Sequence, residues 1–162
     1  MFPEPLENQA DKLLALCRGK GLRIATAESC TGGLITGLLT AVPGSSDVVE
    51  RGFVTYTNEA KQQMLGVAED LFGQVGAVSE EVVRAMAEGA LAQSDANLAV
   101  SVTGIAGPGG GTASKPVGLV HMGLAQEGRE TRHQRYVFKG DRSAVRLAAV
   151  EAAVKLLTEA AS

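Results

Sequence analysis

Tryptophan is absent, only four phenylalanines and two tyrosines are present, and 15 Lys and Arg stand against 18 Asp and Glu, for a formal charge of −3. The chain thus offers few platforms for stacking single-stranded bases and little of the positive field that draws phosphate backbones, which argues against a nucleic-acid partner. Every apolar run is broken by Gly, Thr, Ser or a charge before the ~20 residues of a membrane span, so no membrane contact is expected. Met1-Phe2-Pro3-Glu4-Pro5 is neither basic nor followed by the apolar core of a leader, and the expected address is the cytoplasm. The two cysteines, Cys17 and Cys30, lack CxxC spacing, which excludes a disulfide framework and a cysteine zinc site. His121 and His133 lack the i, i+4 spacing of helical metal pairs and read as structural, so no metal is expected.

What is present is enough apolar material, 45% of 162 residues, for one core, and residues 1–162 read as a single domain with no repeat or linker. Leu6, Ala10, Leu13, Leu14 and Cys17 fall at three-and-four spacing, predicting an amphipathic helix over 5–20 that stops at Gly21. A short strand, 23–27, leads through a turn at 28–31 into a helix over 32–42 that Pro43-Gly44 ends. The β-branched and aromatic set in 47–57 predicts a second strand. Asn58 is expected to cap a helix over 58–65, with one more turn at 69–72. Ser79, followed by Glu80 and Glu81, opens a helix that ends near Ser94. The apolar segment 97–103 reads as a buried strand, 117–126 and 131–138 as a hairpin, and Asp141 as the start of a last helix. Alternating strands and helices with one C-terminal hairpin predict an α/β fold: a three-layer α/β/α sandwich on a mixed, mostly parallel sheet.

Three clusters carry candidate chemistry. The strand-to-helix turn Ala27-Glu28-Ser29-Cys30-Thr31-Gly32-Gly33 exposes a side chain at the carboxyl edge of the sheet, beside N–H groups able to bind an oxyanion or a phosphate. Its bland reading is a plain helix cap by Ser29 or Thr31, with Gly32 and Gly33 allowing close packing. The second cluster, Tyr56-Thr57-Asn58-Glu59-Ala60-Lys61, brings Tyr56 and Lys61 toward the same edge. A lone serine is a poor nucleophile, whereas a lysine desolvated in a pocket drops from a pKa of ~10.4 toward neutrality and can serve as its base. Read alone, Lys61 is more often a solvated helix lysine, because Asn58 to Gln63 is polar at most positions. The third cluster runs from Thr103 and Gly104 through Gly107 and Gly109 to Gly111. Its glycines suit backbone N–H groups converging on an anion, with Lys115 after them and Arg142 at the last helix as further phosphate contacts. It is not a Walker loop, because Gly110 stands where the lysine belongs. Its bland reading is a flexible connection between strands.

Taken together and in this order, Glu28-Ser29-Cys30-Thr31-Gly32-Gly33, Tyr56-Thr57-Asn58 with Lys61, and Thr103-Gly104-Ile105-Ala106-Gly107-Pro108-Gly109-Gly110 with Lys115-Pro116-Val117-Gly118 resemble the nicotinamide-nucleotide amidohydrolase family, also described as the CinA C-terminal domain family. The similarity spans roughly residues 6–158. It implies hydrolysis of the carboxamide of nicotinamide mononucleotide to nicotinate mononucleotide and ammonia, in pyridine-nucleotide salvage, with no metal or other cofactor and in a homo-oligomer. Carried over by motif, Ser29 is the nucleophile, Lys61 its base and Tyr56 an assisting hydroxyl. Thr31, Gly32, Gly33, Thr103, Gly104, Gly107, Gly109, Lys115 and Arg142 are the candidate substrate-binding set. Activities of the additional N-terminal domain found in larger relatives are not carried over. Two alternatives stay open: the same reaction with Cys30 as nucleophile, assisted by Glu28 and Lys61, and a nucleotide sensor without chemistry.

Overall fold

The computed structural model describes residues 1–162. Helix α1 (Glu4–Lys20) leads into β1 (Ile24–Glu28), α2 (Leu34–Ala41), a single 3-10 turn at Ser45–Asp47, and β2 (Val49–Val54). Helices α3 (Asn58–Leu65), α4 (Glu69–Gln74) and α5 (Glu80–Ala92) follow, then β3 (Leu98–Gly104), β4 (Leu119–Gln126), β5 (Arg132–Val137) and α6 (Arg142–Ala161). The expected elements are all present, with bounds shifted by a few residues. One cap differs: Thr57, not Asn58, starts α3, because its hydroxyl accepts the Ala60 N–H at 3.0 Å.

The five strands lie in the order β2-β1-β3-β4-β5. β1 runs parallel to both β2 and β3, and only β4 is reversed, so the sheet is mixed and mostly parallel in strand direction, as expected. Burial follows the order. Each residue of β1 is buried, as are nearly all of β3 and β4, while the edge strands β2 and β5 stay partly exposed.

Alternation along β1 assigns its two faces. Ile24 packs into a core of 27 buried residues shared with α1, α2 and α6, whereas Ala25 and Ala27 face a second core of 11 beneath α3 and α5. The small residues Ala25, Ala27, Ala99 and Ala125 line that second face, which lets α5 lie close to the sheet. Two helical layers around one sheet give the three-layer sandwich. Because β1 has β2 on one side and β3 on the other, the connections leaving β1 and β2 part at its carboxyl end. Open α/β sheets place their ligand crevices at such a parting.

Candidate active site

Thr26 and Glu28 point from β1 toward α2, and that alternation explains the turn that follows. Glu28 is fully buried. One carboxylate oxygen accepts from the Thr31 hydroxyl at 2.7 Å and the Ile35 N–H at 2.9 Å, the other from the Thr36 N–H and hydroxyl, both at 3.0 Å. Glu28 thus caps α2 from inside the strand, a role the sequence reading missed; the side chain sits seven and eight residues before the amides it satisfies, beyond any local capping pattern. The cap takes up the Ile35 and Thr36 amides at the start of α2. It also engages both oxygens of Glu28, which leaves none for activating the neighbouring thiol.

The turn is held from outside as well. Arg146 of α6 donates from Nε to the Cys30 carbonyl at 3.0 Å and from Nη2 to the Thr31 carbonyl at 3.2 Å. This residue was also missed, although Arg142 and Arg146 stand one turn apart on one helix face.

Between these supports Ser29 is 9% exposed, with its N–H on the Val102 carbonyl of β3 at 3.0 Å. Its Oγ lies 3.0 Å from Nζ of Lys61. Lys61 is only 1% exposed, and no carboxylate pairs with it. Its other polar contacts are the carbonyls of Thr55 at 2.8 Å and Tyr56 at 3.4 Å. Burial pushes the Lys61 pKa below its usual value, and the neighbouring Cys30 offsets this only in part. Three partners match an ammonium's three protons. After losing one, the amine keeps two N–H donors for the two carbonyls and turns a lone pair toward Ser29.

The pair opens into a cavity of about 210 Å³ also lined by Cys30, Tyr56, Asn58, Thr103, Gly104 and Arg142. Burial lifts the Cys30 thiol to a pKa of about 11. Tyr56 is 60% exposed, and its hydroxyl accepts from Arg142 at 3.2 Å. Arg142 also donates to the Gly107 carbonyl at 2.9 Å, tying α6 to the glycine loop. A second cavity of about 450 Å³, formed by that loop and the start of α6, shares Ala106 and Arg142 with the first.

Not every candidate reaches the cavity. Thr31, Gly32 and Gly33 line neither cavity, and the Thr31 hydroxyl donates to Glu28 within the turn. Gly107 meets the site through its carbonyl, and Gly109 touches neither cavity. Lys115 turns away: its ammonium donates to the Val75 carbonyl at 2.6 Å, fastening the loop to the end of α4. His121 and His133 bond to each other at 2.8 Å beneath α5, with Glu80 3.4 Å from His133.

Comparison with known proteins gives a consistent result. The model of the CinA C-terminal domain matches residues 6–161. A "CinA-like protein" of Geobacter sp. (strain M21) is 53% identical over 90% of the chain, although the chain spans only 35% of that relative's length. A Pseudomonas putida protein named nicotinamide-nucleotide amidohydrolase PncC is 48% identical over 96% of the chain and 99% of its own length. Among solved structures, the competence/damage inducible protein CihA from Agrobacterium tumefaciens superposes with a TM-score of 0.95 at 49% identity, covering 97% of this chain and 96% of that one. A matched model spanning almost the whole sequence, and a relative aligned end to end with it, make this chain a member of the CinA C-terminal domain family.

Proposed function

We propose that the chain is an amidohydrolase that converts nicotinamide mononucleotide and water to nicotinate mononucleotide and ammonia, with Ser29 as nucleophile and Lys61 as base. The observation that carries this reading is the buried Lys61 amine, unpaired with any carboxylate and 3.0 Å from the Ser29 hydroxyl. The name and full-length alignment of the Pseudomonas putida relative support the substrate class.

In this reading Lys61 takes the Ser29 proton as Oγ attacks the carboxamide carbon, forming a tetrahedral oxyanion. The Lys61 ammonium then returns the proton to the departing nitrogen, and ammonia leaves an ester on Ser29. Water, deprotonated by Lys61, opens that ester to give the carboxylate and restore the serine. Tyr56 and Arg142 assist at the cavity mouth, Thr103 and Gly104 wall the ring, and Arg142, held by the Gly107 carbonyl, receives the phosphate in the adjoining cavity. A homo-oligomer belongs to the same proposal: Val54 and Tyr56, 47% and 60% exposed beside the cavity, are the surface a second copy would cover. A monomer mass by light scattering would remove that part.

The test is ammonium release from nicotinamide mononucleotide by purified protein. Ser29→Ala abolishes it and Cys30→Ala retains most of it. The reverse pattern transfers the attack to the thiol, and tight mononucleotide binding by calorimetry with no deamidated product makes the chain a sensor.

A further inference from the structure

We propose that Lys115 is a positioning residue for substrate binding: by tying the Val75 carbonyl to the glycine-rich loop, it holds in place the Ala77–Val78 wall of the catalytic cavity. The inference rests on the amidohydrolase reading above. Lys115 lines neither cavity, so its effect on a substrate passes through that wall. The residue is half-buried, pairs with no carboxylate, and donates from its ammonium to the Val75 carbonyl at 2.6 Å. Ala77 and Val78, next but one along the chain, line the cavity into which Ser29 and Lys61 open.

The wall has little packing of its own. Helix α4, which precedes it, has six residues and none of them is buried; Leu71, Phe72 and Val75 rest half-buried on the second core. Three consecutive carbonyls instead accept from side chains: Val75 from Lys115, Gly76 from the Ser79 hydroxyl at 2.8 Å, and Ala77 from the Thr103 hydroxyl at 3.0 Å. Ser79 belongs to the connection itself and Thr103 to β3, which leaves Lys115 as the side-chain tie to the loop beyond β3. A charged donor makes this the stronger kind of hydrogen bond. The lysine is itself braced, because its N–H donates to the Thr112 hydroxyl at 3.0 Å and its carbonyl accepts from the Thr112 N–H at 2.7 Å. Gly76 leaves room for the ammonium: a Cβ there would lie 3.0 Å from Nζ of Lys115, on a backbone at φ +77°. Val117, just past Lys115, lines the adjoining cavity, so one stretch of loop borders the second cavity and braces the wall of the first.

The experiment compares Lys115→Met, which keeps the stem but removes the donor, and Lys115→Arg, which restores a donor, with the parent protein. It reads steady-state kinetics, thermal melting and the amide resonance of Gly76, whose peptide carries the Val75 carbonyl. In Lys115→Met we expect KM for nicotinamide mononucleotide to rise at least ~5-fold with kcat within ~3-fold, as for loss of binding shared by ground and transition states, and the Gly76 amide to shift. Lys115→Arg is expected to regain most of the affinity. The Ki of nicotinamide riboside, a competitor without the phosphate, is expected to rise in Lys115→Met by the same factor as KM. Parental KM in a folded Lys115→Met, a loss confined to kcat, no regain in Lys115→Arg, or a parental riboside Ki would each overturn the proposal, the last by assigning the ammonium to the phosphate. If Lys115→Met does not fold, Lys115→Gln carries the same expectations. Failure of the parent protein to release ammonium instead rejects the amidohydrolase reading, and calorimetry of mononucleotide binding to the same variants then tests the wall.

Discussion

Lys61 is a large side chain placed almost wholly out of water with only neutral partners, and its two roles pull against each other. Its folded pKa is lowered, so the unfolded chain binds the extra proton in the window between that value and the usual 10.5. Folding stability therefore rises with pH through this window, and below the lowered pKa the protein carries the full cost of the buried charge. Lys61→Met is expected to raise the melting temperature at neutral pH, by an amount that shrinks as pH approaches 10.5, while turnover falls by at least ~100-fold. The parent kcat should climb with pH through the same lowered value, because the base acts when neutral. Melting curves and ammonium assays across pH check both. Ser29, Tyr56 and Lys61 were each legible in the sequence as residue types at strand ends and in a first helical turn. Glu28 and Arg146 were not, because their partners are backbone groups brought near by the fold and leave no spacing pattern to read.

At the level of elements, α2 depends on a carboxylate from the preceding strand instead of a cap of its own. Gly33 stands at its N-cap position and supplies no side-chain bond. Glu28→Gln keeps the shape but replaces one acceptor oxygen with an amide that opposes the Thr36 donors or the Thr31 and Ile35 donors. We expect a loss of ~1–3 kcal/mol in chemical denaturation and a fall in kcat, since the same carboxylate steadies the turn that carries Ser29. A variant of parental stability would mean that α2 is capped by other means. Helices α1, α5 and α6 were readable because Gly21, Ser79 and Asp141 mark their ends with standard capping chemistry. The cap of α3 was misplaced by one residue, since Thr57 and Asn58 are both good caps and only the tertiary entry angle from β2 selects between them.

For the whole molecule, stability toward acid is set in part by the histidine pair of β4 and β5. His121 is buried between β4 and α5, and burial together with His133 lowers its pKa to about 4; His133 is also shifted down by burial. The unfolded chain, with ordinary histidines near 6.5, takes up protons first as pH falls, so stability is lost from about pH 6.5 down to about 4. His121→Gln should flatten that slope in melting experiments, and an unchanged slope would point to carboxylates. The layered architecture was legible from the alternation of strands and helices. Strand order was not, because the choice of β3 over β2 as the inner neighbour of β4 depends on which strands can be buried on both faces.

The register of β3 with β4 pairs Gly104 with Val120 and Leu98 with Gln126, so the turn at Gly128 stands at the opposite end of the sheet from Ser29. Over the length of β4 that is roughly 25 Å of rigid strand. The turn is exposed, and a Cβ at Gly128 would meet nothing. It is therefore a natural splice point: a fluorescent reporter or an immobilisation tag inserted there should leave ammonium release at the parental rate, whereas the same insert at Gly107, whose carbonyl holds Arg142, should silence the enzyme.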